Sequence, residues 1–277
     1  MMLGHVVQRA RIVEDAWCAA WRSLGQAPGV HTVHVDDTAH YLRIYTPQEP
    51  ELLLNIVLRY RDVHTGSQSA FQTVLEPFVA HRLPFQWWLV SGTEPPGLRE
   101  SLLALGMHTW GGAVAMTSDL NVRVPAYPAV PDDVQFALAS SDDLADGALS
   151  VITEVFMVAR QPMARWTIDN PAVHVYVALR RNQPVAAMAT QQVGNVVGIF
   201  HVATVPLARR LGIAGNLMQF ALAHARGAGC TTAALTATRE AVHLYERLGF
   251  TSCGMLEQWV PGFNLMHQIT QGEPIRM

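Results

Sequence analysis

The 277-residue sequence predicts an α/β (α+β) chain of two domains, each a central mixed, mostly antiparallel sheet flanked by helices. Three observations carry that reading. Pro125, Pro128 and Pro131 punctuate the stretch 122–133; each fixes φ and lacks an N–H, so the segment is an extended connector between domains 1–122 and 134–277, with a linker at 123–133. Polar turns at Arg181-Asn182-Gln183 and Val193-Gly194-Asn195 separate three β-rich runs into an antiparallel meander. The order of helices and strands is also the same on both sides of the connector, which marks a repeat.

In chain order, the first half reads as a helix over 14–24, strands near 31–35, 41–45 and 53–60, a helix over 68–82, a strand over 85–90, a helix over 96–105 and a strand over 113–120. After the connector come a strand at 134–139 and a helix to residue 158 capped by Asp142-Asp143, then a less regular segment 162–170. Strands at 174–180, 184–192 and 196–204 follow, then a helix over 213–226 closed by Gly227-Ala228-Gly229. A strand at 231–236, a short helix carrying Tyr245 and ending at Gly249, and a strand at 251–260 complete the chain.

Half of the residues are hydrophobic, 15% are charged and the formal charge is −3. No apolar run is long enough to span a bilayer and no charged-then-apolar leader opens the sequence, so a soluble, cytoplasmic protein is expected. The charge argues against nucleic acid or membrane as partner. All 19 basic residues are arginine, which removes Schiff-base and catalytic lysine chemistry. Cys18, Cys230 and Cys253 are widely spaced, in keeping with thiols used as small apolar side chains in a reducing compartment. His31 and His34 fall on opposite strand faces, a poor metal pair, and no metal is expected.

The stretch 202–218 carries the chemistry. Val202, Ala203 and Thr204 end a strand, Pro206 marks its exit, and Arg209-Arg210-Leu211-Gly212-Ile213-Ala214-Gly215-Asn216 turns into a helix. Helix-opening N–H groups lack partners, small residues let an anion approach them, and the arginines add positive charge, so the turn is suited to a pyrophosphate. Tyr245 lies one strand and one helix downstream.

These residues resemble the GNAT superfamily of acyl-CoA-dependent N-acetyltransferases, whose Arg/Gln-x-x-Gly-x-Gly/Ala signature is met by Arg209, Gly212 and Ala214. The block Ala241-x-x-x-Tyr245-x-x-x-Gly249-Phe250 follows in the family's order. The resemblance covers 134–260; the first half matches in element order and in its Leu-Gly-Met ending, with Leu102 opposite Tyr245, and so resembles a degenerate repeat of a tandem GNAT enzyme. It implies acetyl-CoA as co-substrate, with its diphosphate on amides of Arg209 to Asn216 and its pantetheine arm along Val202, Ala203 and Thr204. Tyr245 is implied as proton donor to the leaving thiolate. Thr238 stands where many members have a cofactor-contacting asparagine.

The base is the least defined part. Gly198 occupies the place of the family's glutamate, and His201 is the candidate, although strict alternation puts it on the far sheet face unless the strand bulges. His174, Glu154 and Glu257 are alternatives. Asp143, Trp166 and Asp169 fall in the segment that shapes the family's acceptor pocket. The expected reaction is direct attack of a small-molecule primary amine on acetyl-CoA; acylation of a protein or peptide amine and non-catalytic acyl-CoA binding are the alternatives. A homodimer is compatible with this reading.

Overall fold

A computed structural model describes residues 2–27, 32–62, 68–123, 126–156 and 170–273. Those of them within 1–14, 31–113 and 254–277 form one compact unit, and those within 15–30 and 114–253 the other. Helix α1 (Met2–Gln26) contributes to both and is longer than the expected 14–24.

The first unit contains β1 (His34–Asp37), β2 (Leu42–Tyr45), β3 (Ile56–Leu58), α2 (Gln68–Ala80), β4 (Gln86–Val90) and α3 (Leu98–Ala104). The long strand β5 (Met107–Asp119) starts in this unit and ends in the second. Strands β1, β2 and β3 pair antiparallel, whereas β3 and β4 pair parallel through Ile56↔Gln86 and Val57↔Trp87. The core is aromatic: Tyr60 stacks on Phe71 at 5.9 Å and meets the edge of Trp87 at 5.2 Å. Pro77 sits inside α2 and cannot donate to the carbonyl of Thr73. Arg43 compensates by donating to the carbonyls of Thr73 and Val74, both at 2.8 Å, while pairing with Asp36.

The second unit continues with β6 (Val134–Leu138), α4 (Asp142–Phe156), β7 (Val173–Arg180), β8 (Gln183–Val193), β9 (Val196–Thr204), α5 (Ile213–Gly227), β10 (Thr232–Ala237), α6 (Val242–Arg247) and β11 (Thr251–Pro261). Its sheet has the order β5-β10-β9-β8-β7-β6, antiparallel except between β10 and β9. Arg181 and Asn182 both take positive φ, 51° and 61°, which closes the β7–β8 hairpin in the twist its strands require. Tyr176, Met188, Ile199, Leu217, Met218, Leu235 and Tyr245 share one buried cluster.

The last strand of each half completes the other half's sheet. Residues 114–119 of β5 pair with β10, while 256–259 of β11 pair with β4. Helix α7 (Phe263–Gln271), absent from the sequence expectation, then buries Leu265 and Ile269 in the first unit. The compact units therefore part at Ala113/Val114 and Cys253/Gly254, and residues 126–131 of the expected linker lie within the second unit.

Candidate functional site

The site is built on β9. From Ala189↔Phe200 to Ala187↔Ala203 the ladder advances two residues on β8 and three on β9, a β-bulge. His201 absorbs it with φ 55°. Val197 and Ile199 belong to the core cluster and Val202 packs against it, so the face-to-face spacing changes from two to three across the bulge. The extra residue leaves His201 across the strand from Val202, the face that alternation from Val202 assigns to it. Phe200 meets Trp17 edge-on at 4.8 Å, and His201 meets the ring of Phe156 at 5.8 Å.

Beside the bulge the sheet opens. Strands β9 and β10 pair parallel through Thr232↔Val196, Ala233↔Val197 and Ala234↔Gly198, and no further, although β9 runs on to Thr204 and β10 to Ala237. On its other edge β10 stays paired with β5 along its whole length. The result is a cleft between two strands of one sheet, flanked on one side by the segment Ile199–Thr204.

The predicted cradle follows directly. After one 3₁₀ turn (Pro206–Ala208), Arg209 is extended, Arg210 takes φ 63° and Gly212 takes φ 77° at the N-cap of α5. Among the described residues, the backbone N–H groups of 210–215 have no acceptor, and the first to be bonded is Asn216, to the carbonyl of Gly212 at 3.1 Å. A run of unpaired donors at the mouth of a 15-residue helix favours a phosphate group. Arg209 donates its Nε–H to the Thr204 carbonyl at 3.0 Å, closing the loop onto the strand. Leu211 and Ala214 are half-buried, whereas Ile213 fills the core.

Two predicted contacts have other duties. The Asn216 side chain donates to the carbonyls of Pro128 at 2.8 Å and Gly212 at 3.0 Å. A Cβ on Gly215 would fall 2.4 Å from the ring of Tyr127, so the glycine makes room for that ring. Tyr127 is further held by its N–H to Gln219 at 2.9 Å, and the guanidinium of Arg247 lies 4.7 Å from its ring centroid. The sequence reading missed this group. Its signal was an aromatic residue between prolines, opposite a small-residue helix start.

Tyr245 is 5% exposed, edge-on to Phe250 at 5.9 Å, and its hydroxyl has no hydrogen-bond partner among the described residues. Burial pushes its phenol well above the ordinary value. Such a phenol is a weaker acid than a free thiol (~8.5), so its role at a leaving sulfur is hydrogen-bond donation more than complete proton loss. Thr238 is exposed; its hydroxyl and Glu240's own N–H hold the Glu240 carboxyl below its usual range, with the N–H the larger effect.

Burial also pushes the His201 imidazole down to about 4, leaving it neutral at physiological pH. A Cβ at Gly198 would meet the Phe200 ring at 2.8 Å and Ala16 at 3.1 Å, which closes that position to a carboxylate without repacking. His174 and Glu154 are exposed. Glu257 belongs to the first unit; burial raises its pKa, but bonds from Arg99 and Trp259 outweigh that and lower it. Asp143 is exposed at the start of α4, and Trp166, Asp169 and His31 lie outside the described residues. His34 stacks on Tyr45 at 4.8 Å. The three cysteines are buried and form no disulfide with one another, and no helix among the described residues is long and apolar enough to cross a membrane.

In the first unit β3 and β4 pair only at Ile56↔Gln86 and Val57↔Trp87, the Tyr60, Phe71 and Trp87 rings pack on one another, and Leu102, which the sequence sets opposite Tyr245, is fully buried.

The sequence model of the Acetyltransferase (GNAT) family matches residues 145–250. No curated protein matches the chain. Among solved structures, a GCN5-related N-acetyltransferase from Kribbella flavida is 20% identical over 93% of this chain and 97% of its own, with a TM-score of 0.71. A GCN5-related N-acetyltransferase from Sphaerobacter thermophilus is 14% identical over 92% of each chain, with a TM-score of 0.61. A tandem GNAT protein from the clavulanic acid biosynthesis pathway is 13% identical over 93% of this chain and 94% of its own, at 0.58. These likenesses establish the fold.

Proposed function

We propose, from the premise that residues 145–250 carry a GNAT-family acetyltransferase domain, that the protein transfers the acetyl group of acetyl-CoA to a primary amine of a small molecule. One observation carries the reading: β9 and β10 part after Gly198↔Ala234, next to a helix mouth whose amides at 210–215 are unpaired. A chain of diphosphate, pantetheine and thioester is the kind of molecule that meets both features, the anion on the amides and the amide-bearing arm along the open edge of β9.

In this reading the cofactor is a substrate, consumed as amine and thioester become amide and free thiol. Backbone N–H groups along 202–204 stabilise charge on the carbonyl oxygen as the amine nitrogen bonds to carbon. The carbon–sulfur bond then breaks, and Tyr245 donates to the departing sulfur. The amine attacks as its free base, its ammonium proton (~10) having gone to solvent, and neutral His201 accepts the second proton after attack, when the nitrogen has become strongly acidic.

The test is release of free thiol from acetyl-CoA, followed with a thiol reagent across a panel of small primary amines and amine-bearing peptides. Turnover with the small amines supports the proposal. Turnover confined to peptides indicates acylation of a protein amine, and binding of acetyl-CoA without thiol release under any condition indicates a binding module.

A further inference from the structure

Arg247 is the last residue of α6 and is exposed; among the described residues no carboxylate pairs with it, the neighbouring Glu246 being taken by His243 at 3.0 Å. It is nonetheless held in place. Its guanidinium lies over the ring of Tyr127 at 4.7 Å, and that ring rests on Gly215, in the first turn of α5. Tyr127 is itself fastened to α5 through Gln219, and the next residue, Pro128, through Asn216. The connector thus bridges two helices and sets one arginine a single aromatic ring away from the unpaired amides at 210–215.

A cation fixed by stacking loses less freedom on binding an anion than a free arginine does. Its stacked geometry leaves the edge of the guanidinium, with its forked N–H groups, available to a phosphate. A phosphate on the amides and a second phosphate on Arg247, one aromatic ring away, correspond to a ligand with two anionic centres. We propose that Arg247, positioned by Tyr127, binds the 3′-phosphate on the ribose of coenzyme A and makes the protein select the 3′-phosphorylated cofactor. The proposal rests on the reading of 210–215 as the diphosphate cradle. Tyr127 is a positioning residue in it, acting through Arg247.

Titration calorimetry with acetyl-CoA and with its 3′-dephospho analogue tests this on the wild type, Arg247→Gln, Arg247→Lys and Tyr127→Leu. One charge-assisted phosphate contact predicts that the wild type prefers acetyl-CoA by about 10–100-fold. Arg247→Gln should bind acetyl-CoA no better than the dephospho analogue, whose own affinity is unchanged; Arg247→Lys should keep part of the preference, and Tyr127→Leu should lose part of it. Unfolding curves that match wild type for Arg247→Gln, an exposed site, secure the comparison. Equal affinity of the wild type for both ligands, or an equal loss for both in Arg247→Gln, overturns the proposal while leaving the cradle standing. Failure of the wild type to bind either ligand overturns the cradle and the proposal with it.

Discussion

Acid should destabilise this protein through His201, and the size of the effect follows from its surroundings. In the unfolded chain an imidazole has its ordinary pKa of 6.5, whereas in the fold burial pushes it down to about 4. Between those values the unfolded state binds more protons than the folded one, so stability rises with pH across the window and is lost as pH falls from 6.5 towards 4. Integrating the two titrations costs the wild type about 2 kcal/mol at pH 5 relative to pH 7, an upper figure because the residue as a whole is half-buried. The perturbation that isolates it is His201→Asn, since asparagine tolerates the positive φ that the bulge demands. Urea unfolding at pH 7, 6 and 5 measures both proteins. The wild type should lose more stability than the variant, by up to about 2 kcal/mol at pH 5. A difference between the two proteins that stays constant over this range would refute the argument that His201 is held neutral by its enclosure.

Tyr245→Phe removes only a hydroxyl without a described partner, so the melting temperature should hold and acetyl-CoA should still bind by calorimetry, while thiol release slows by about 100-fold or more. Gly215→Ala drives a Cβ into the Tyr127 ring and should cost about 1–3 kcal/mol in urea unfolding. Combining it with Tyr127→Ala should cost less than the sum of the single changes, because the ring that is struck is gone. In the first unit, Arg43→Met should cost about 1.5–3 kcal/mol by the same assay, since it strips the donors that satisfy the carbonyls beside Pro77.

Local chemistry explains which parts of this molecule can be read from residues. The small residues Gly212, Ala214 and Gly215 and the Gly249 stop each state a backbone requirement on the spot, and the elements they bound stand where the pattern puts them. The bulge is different: nothing in Phe200-His201-Val202 announces a positive φ, because it is imposed by the mismatch with β8. The exchange of β5 and β11 was equally invisible, as a strand's residues specify a half-buried edge without naming the strand that covers it. Pro128 and Pro131 argue against regular structure, and 126–131 hold neither helix nor strand, yet Tyr127 packs on α5, a contact that depends on a glycine 88 positions later. Helix α7 was missed although Leu265 and Ile269 have helical spacing, since its nine residues give too short a window for periodicity to stand out.

The central claim is that the helix mouth at 210–215 and the opening between β9 and β10 receive a single molecule of acetyl-CoA. A crystal structure of the protein with acetyl-CoA tests it most directly. The account predicts the diphosphate within hydrogen-bond distance of those amides, the arm beside 202–204 and the sulfur in reach of the Tyr245 hydroxyl; a diphosphate bound elsewhere, or a thioester remote from Tyr245, would contradict it.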